Sequence, residues 1–285
     1  MAELRQPYST SVYAEKTEEP DLPGGKYLYC IIRCGEERVF ADAVPIGRWG
    51  GQVYTVPVNG LALVISNSPE REYESTRVNL LDHARVLEQV MEEFTILPVR
   101  FGTVSRPTLG AADESLSSLQ GVQKVLRKRR QEFDQLLAEM EGKVELGLKA
   151  LWRDDKAIFE EILAENPTLL KRRNALARKP AAAVRVEGLH LGEMVKEALD
   201  QKRAAEATRL LAPLRQIASR TIEHQVVVDR MIASAAFLVD RGRQEEFDQA
   251  VNRLDGELGE RVTLKYVGPV PPYNFVNITV NWEDL

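Results

Sequence analysis

Apolar and polar positions along this chain change their period several times, and each change marks an element. Tyr27-Leu-Tyr-Cys-Ile-Ile, Val53-Tyr-Thr-Val and Leu61-Ala-Leu-Val-Ile are short runs rich in β-branched and aromatic residues, separated by the glycine-bearing stretch Gly47 to Gly51, and read as three strands. From Asn79 the spacing lengthens: Leu80, Ala84, Leu87, Met91 and Phe94 recur at three and four residues, which predicts an amphipathic helix packed on that sheet. Thr95 to Val104 reads as a further strand, and Pro98, lacking an amide hydrogen, belongs at an edge or a strand start. Ser115 to Glu141 holds no proline and carries Leu119, Val122, Leu126, Phe133, Leu137 and Met140 at helical spacing, so one long helix is expected.

Beyond it, Val144, Leu146, Leu148 and Leu151 alternate as a strand with one buried face, ending in Trp152. Helices follow: one over Ile158 to Leu163, then a hairpin or excursion over Leu191 to Gln225 that Pro213 is expected to kink or divide. Ile232 to Val239 predicts a strand, Phe247, Val251 and Leu254 a helix, and Val262, Leu264 and Tyr266 another strand. After the Gly-Pro and Pro-Pro turn, Val276, Ile278, Val280 and Trp282 alternate as a last one.

Together these elements predict an α+β protein. Residues 1–26, mixing Pro, Glu, Thr and Ser before a Pro-Gly-Gly signal, form a flexible arm; 27–104 an N-terminal α+β domain; 105–142 a linking helix; and 143–285 a ferredoxin-like domain with a helical insertion at about 154–225.

Composition narrows what such a fold does. Hydrophobic residues at 44% and charged residues at 28% are globular proportions, and no apolar run approaches the ~18 residues of a membrane span, so a cytoplasmic protein without a lipid partner is expected. A net charge of −5 works against nucleic acid, whose affinity comes largely from Lys and Arg. The Arg127-Lys-Arg-Arg run is offset by Glu132, Asp134, Glu139 and Glu141 and reads as a solvated helix face. Cys30 and Cys34 share one strand face too far apart to join, and read as buried free thiols.

Catalytic and metal chemistry is thinly supplied. His83, His190 and His224 are the only histidines, and none stands at a spacing that lets two imidazoles share a metal, so neither cofactor nor metal is expected. His83 with Glu88 or Glu92 makes a general-base pair only if both turn into a pocket; the alternative is a helix-start or interface histidine. No nucleophile elbow or phosphate loop is present.

Two segments are more specific: His83-Ala-Arg-Val-Leu-Glu-Gln-Val-Met running on to Leu97-Pro-Val-Arg-Phe-Gly-Thr-Val, and Tyr266-Val-Gly-Pro-Val-Pro-Pro-Tyr-Asn-Phe-Val. With Tyr27-Leu-Tyr-Cys-Ile-Ile, Lys143-Val-Glu-Leu-Gly-Leu-Lys and Ala235-Ala-Phe-Leu-Val-Asp, in that family's order over about residues 27–282, they resemble the gas vesicle protein L/F family. The resemblance implies a non-enzymatic role in gas vesicle formation, as an assembly helper or minor shell-associated protein. It also implies contact with the small hydrophobic shell protein and other accessory proteins, and a location in the cytoplasm at the gas vesicle or on the shell's gas-facing inner surface. Its motif residues Leu97, Pro98, Arg100, Phe101, Gly102, Gly268, Pro269, Pro271, Pro272 and Tyr273 read as structural or interaction positions. Arg100 suits carboxylate anchoring, Phe101 packing and Gly102 a close backbone approach. Gly268 to Tyr273 stiffens a turn or presents a docking surface. The rival reading is a small-ligand binder or enzyme using a pocket between the domains, with His83, Arg100 and nearby carboxylates as candidates.

Overall fold

The computed structural model describes residues 25–49, 51–70, 72–105, 108–109, 115–178 and 181–280; the expected arm up to residue 24 and Trp282 lie outside them. In chain order the strands are β1 (Gly25–Arg33), β2 (Val39–Phe40), β3 (Val53–Val58), β4 (Leu61–Ser68), β5 (Ile96–Pro98), β6 (Val104–Ser105), β7 (Thr108–Leu109), β8 (Ser115–Leu116), β9 (Lys143–Trp152), β10 (Arg220–Glu223), β11 (Met231–Asp240) and β12 (Val262–Val270). The helices are α1 (Arg77–Glu93), α2 (Ser118–Lys128), α3 (Arg130–Met140), α4 (Asp155–Glu165), α5 (Pro167–Leu176), α6 (Ala181–Ile217) and α7 (Gln244–Leu258).

The first sheet runs β2-β3-β4-β1-β5, with β6 also on β1, and β7 pairs with β8 apart from it. Pro98 ends the edge strand β5, where its missing donor costs no ladder bond. A register shift between Leu28 and Cys30 turns Tyr29 and Cys30 toward the same side. Tyr27, Tyr29, Cys30, Ile32 and Cys34 therefore join the core under α1, where both thiols are free and buried. Thr76 caps α1, its side chain accepting from the Asn79 amide.

The inward stripe of α1 differs from the expected one. Asp82, His83, Val86, Leu87 and Val90 are buried, whereas Leu80 is 43% exposed. Asp82 is drawn in by two hydrogen bonds from Arg48, at 3.1 and 3.2 Å, and His83 by the Tyr27 hydroxyl.

The opposite face of the first sheet packs on α2 and α3. The expected single helix is broken at Arg129, which leaves helical geometry (φ −105°, ψ 20°) while its guanidinium donates to the Thr279 carbonyl at 2.8 Å and lies over Phe133. Glu132 and Asp134 pair with Arg129 and Arg130, as the offsetting charges of that run require. Ser117 and Gln120 form a capping box at the start of α2.

The second sheet runs β10-β11-β9-β12, all antiparallel, with α4, α6 and α7 on one face, which is the ferredoxin-like order. Its remaining strand is β10, directly after α6, and not the 276–280 segment. Ile278 instead bridges Val99 in parallel, extending the first sheet beyond β5. Pro213 sits inside a helix that stays continuous, because Leu210, Leu211, Leu214 and Ile217 are buried on either side of it. Glu206 ties α6 to the sheet, accepting from Trp152 Nε1 at 2.7 Å and from Arg261 at 2.8 Å. The other face turns Ala236 and Leu238 into the core that Leu28, Ile31, Leu97, Val125, Phe133, Phe275 and Ile278 share, so the two sheets close on common residues.

Candidate functional site

The two specific segments meet at the seam between the sheets. From Leu97 the chain leaves β5 with Leu97 and Pro98 buried, bonds Arg100 N–H to the Ile278 carbonyl at 3.2 Å, and turns at Gly102. Gly102 has φ +80°, a left-handed conformation for which a side chain is strained. Its amide donates to the Tyr27 hydroxyl at 3.1 Å. The second segment begins inside β12, where Gly268 sits in a register shift between Val267 and Val270; its φ is +137° and its missing Cβ would lie 2.7 Å from Leu146 Cδ2 and 3.0 Å from the Glu145 carbonyl. The Gly268–Pro269 peptide is cis, Pro271 and Pro272 are buried, and the Pro272 carbonyl accepts from Val276 N–H at 2.9 Å. Asn274 then donates its amide to Glu145 at 2.9 Å, holding a carboxylate that is 2% exposed and whose pKa burial pushes up.

Between these segments lies a cleft of about 340 Å³, lined from one side by Leu80, His83, Pro98, Val99, Arg100 and Phe101 and from the other by Tyr273, Val276 and Ile278. His83 and Arg100, proposed from sequence as pocket residues, do converge here. Glu88 and Glu92 do not line it, and His83 Nδ1 lies 3.0 Å from the Tyr27 hydroxyl, so the general-base pair is not formed. The His83 ring meets Phe101 edge-on at 5.6 Å and Tyr29 at 5.8 Å. Burial lowers its pKa to about 4, which keeps it neutral near pH 7. The same burial raises the Tyr27 hydroxyl, and takes that of Tyr29, which accepts from the Ile46 amide, to about 12.

Of the ten motif residues, Pro98, Arg100, Phe101 and Tyr273 line the cleft; Leu97 is buried in the shared core, Gly102 makes the turn after Phe101, and Gly268, Pro269, Pro271 and Pro272 lie at the end of β12 and in the turn that follows. Arg100 anchors no carboxylate of its own chain: its exposed guanidinium has no partner among the described residues. Sequence reasoning missed Tyr27, Tyr73 and the Arg48–Asp82 pair, whose residues carry no local signal of their spatial neighbours. Among the described residues no group of three or more His, Cys, Asp or Glu is placed to hold a metal ion.

A second concavity, of about 540 Å³, lies on the open face of the second sheet, floored by Gly147, Ser234 and Ala236 and flanked by Lys149, Lys265 and Val267. Val227 and Val267, which line it, are 77% and 57% exposed, and no strand pairs with the outer edge of β12 among the described residues.

Residues 25–277 match the family model described as gas vesicle synthesis protein GvpL/GvpF. Gas vesicle protein F of Nostoc sp. strain PCC 7120 is 26% identical over 265 residues, covering 90% of this chain and 100% of that protein. Gas vesicle protein F1 of Halobacterium salinarum is 29% identical over 260 residues, covering 90% and 95%. The crystal structure of GvpF from Anabaena sp. PCC7120 superposes with a TM-score of 0.74 at 25% identity, over 90% of this chain and 100% of that one.

Proposed function

This chain belongs to the gas vesicle synthesis protein GvpL/GvpF family and so has a role in gas vesicle formation; from that premise we propose that it handles the small hydrophobic shell protein directly, without catalysis. The carrying observation is the open face and free edge of the second sheet. An edge strand with unpaired backbone groups, beside a floor of small residues and exposed valines, suits the addition of a strand from an apolar partner. A shell subunit that exposes a large apolar face aggregates unless something covers it or delivers it to the growing wall. Covering it at β12 holds the subunit in solution until assembly.

On this reading the protein works in the cytoplasm at the forming vesicle and meets other accessory proteins there. It either departs after delivery or stays on the gas-facing inner surface as a minor component. No described helix is long and apolar enough to cross a membrane.

Co-expression with the shell protein tests the proposal. Co-purification, with the shell protein soluble only in company, is expected, and Val267→Lys should abolish capture while leaving the fold intact. A shell protein that is neither captured nor kept soluble refutes direct handling.

A further inference from the structure

On the open face of the second sheet, strand register places two lysines side by side. Lys265 of β12 stands directly opposite Lys149 of β9, and both are exposed and line the concavity there. Neither ammonium group has an ion-pair or hydrogen-bond partner among the described residues. The one carboxylate among the lining residues, Glu145, is taken up by the amide and side chain of Asn274. Like charges directly opposite each other weaken a strand pair, so an anion brought from outside relieves this one.

One row along the same face, Val267 stands opposite Gly147, and Gly147 opposite Ala236. Val267 leans inward, its Cγ2 lying 3.0 Å from where a Cβ on Gly147 would be. The face therefore carries a cationic row of Lys149 and Lys265, next to Ser234, and an apolar row of Ala236, Gly147 and Val267. Each row ends at the free edge of β12.

A strand added at that edge lies about 4.8 Å further out and extends both rows by one residue. The two added residues are two positions apart in their own strand, because side chains on one face alternate. The residue beside Lys265 meets two ammonium groups, so a carboxylate fits there and a cation is repelled. The residue beside Val267 meets an apolar surface. A second copy of this chain does not satisfy this pattern, since two β12 strands paired antiparallel about Lys265 align four lysines in one row.

We infer that Lys149 and Lys265 select the strand that docks at β12, admitting a segment of the shell subunit that carries a carboxylate and, two positions away, an apolar side chain. This rests on the reading of β12 as the edge that takes up shell subunits, and adds the chemistry the docked segment must have.

The test is co-expression of the full chain with the shell protein, comparing the wild type with Lys149→Gln/Lys265→Gln, Lys265→Glu and Lys265→Arg, and measuring the urea midpoint of each chain alone. Wild-type capture should decline as salt is raised. The double variant should capture at least about fivefold less shell protein and Lys265→Glu at least about tenfold less, while Lys265→Arg, which keeps the charge, captures as the wild type does. The double variant and Lys265→Glu relieve the repulsion between the lysines, so their urea midpoints should be no lower than that of the wild type. Lysines that only keep strands away from an edge predict the opposite response, more capture once their charge is removed. Undiminished capture by either charge-changing variant, or equal loss in Lys265→Arg, overturns the inference and leaves docking at β12 standing. No capture by the wild type overturns both.

Discussion

Acidification should weaken this protein through His83 well before its firmly paired carboxylate Glu161 is protonated. The imidazole is neutral in the folded chain because burial holds its pKa at about 4, whereas in the unfolded chain it returns to the ordinary value of 6.5. A base with a depressed folded pKa lets the unfolded state take protons that the folded state refuses, so stability falls as pH drops from 6.5 toward 4. Between pH 7 and pH 5 the difference in proton uptake amounts to about 1.9 kcal/mol. Carboxylates contribute little in that window: Glu161, held at about 2 chiefly by the hydrogen bond from Arg261, loses its contribution only below the ordinary carboxylate range. Glu145, raised by burial, acts with the opposite sign. The assay is urea unfolding at both pH values for the wild type and for His83→Gln, whose side-chain oxygen can still accept from Tyr27. The variant should be less stable at pH 7 yet lose about 1.9 kcal/mol less on acidification. Equal pH dependence in the two proteins would refute the assignment of a buried, neutral His83.

Two further perturbations probe the seam. Phe133→Ala removes a fully buried ring from the core that both sheets share and should cost about 3–5 kcal/mol, read as a lowered urea midpoint of a single transition. Gly268→Ala places a methyl 2.7 Å from Leu146 at φ +137° and should cost about 2–4 kcal/mol, whereas Gly142→Ala, at φ +68° with open space around its Cβ, should cost only about 1 kcal/mol; thermal unfolding of the two variants distinguishes them.

Periodicity carried much of the fold because burial is periodic. β1, β3, β4, β9, β11, β12, α1 and α7 all appear where the apolar spacing changes. What it missed has a common physical origin in contacts made at long range. The inward face of α1 was misjudged because Asp82 and His83 look like surface residues until Arg48 and Tyr27, 34 and 56 positions away, supply their partners. The break at Arg129 depends on the Thr279 carbonyl, 150 residues on. Ile278 joins the first sheet through Val99, and alternation reports which side of a strand is buried but not which sheet it enters. The convergence of His83 with Arg100 was legible in the sequence, whereas the nearby carboxylates expected with them do not line the cleft, since spacing along α1 does not say which way each side chain turns.

The placement of the motif segments argues that the seam is more than packing. A structural junction alone requires Val99, Phe275, Val276 and Ile278 to be apolar and Gly102 and Gly268 to take left-handed backbone, and the chain provides this. It does not require a histidine whose buried Nε2 has no hydrogen-bond partner among the described residues. A buried donor left unmatched costs about 1–3 kcal/mol, which an apolar residue at position 83 would avoid. What offsets it is the other ring nitrogen, whose hydrogen bond with Tyr27 ties α1 to β1 and, through the Gly102 amide, to the motif turn.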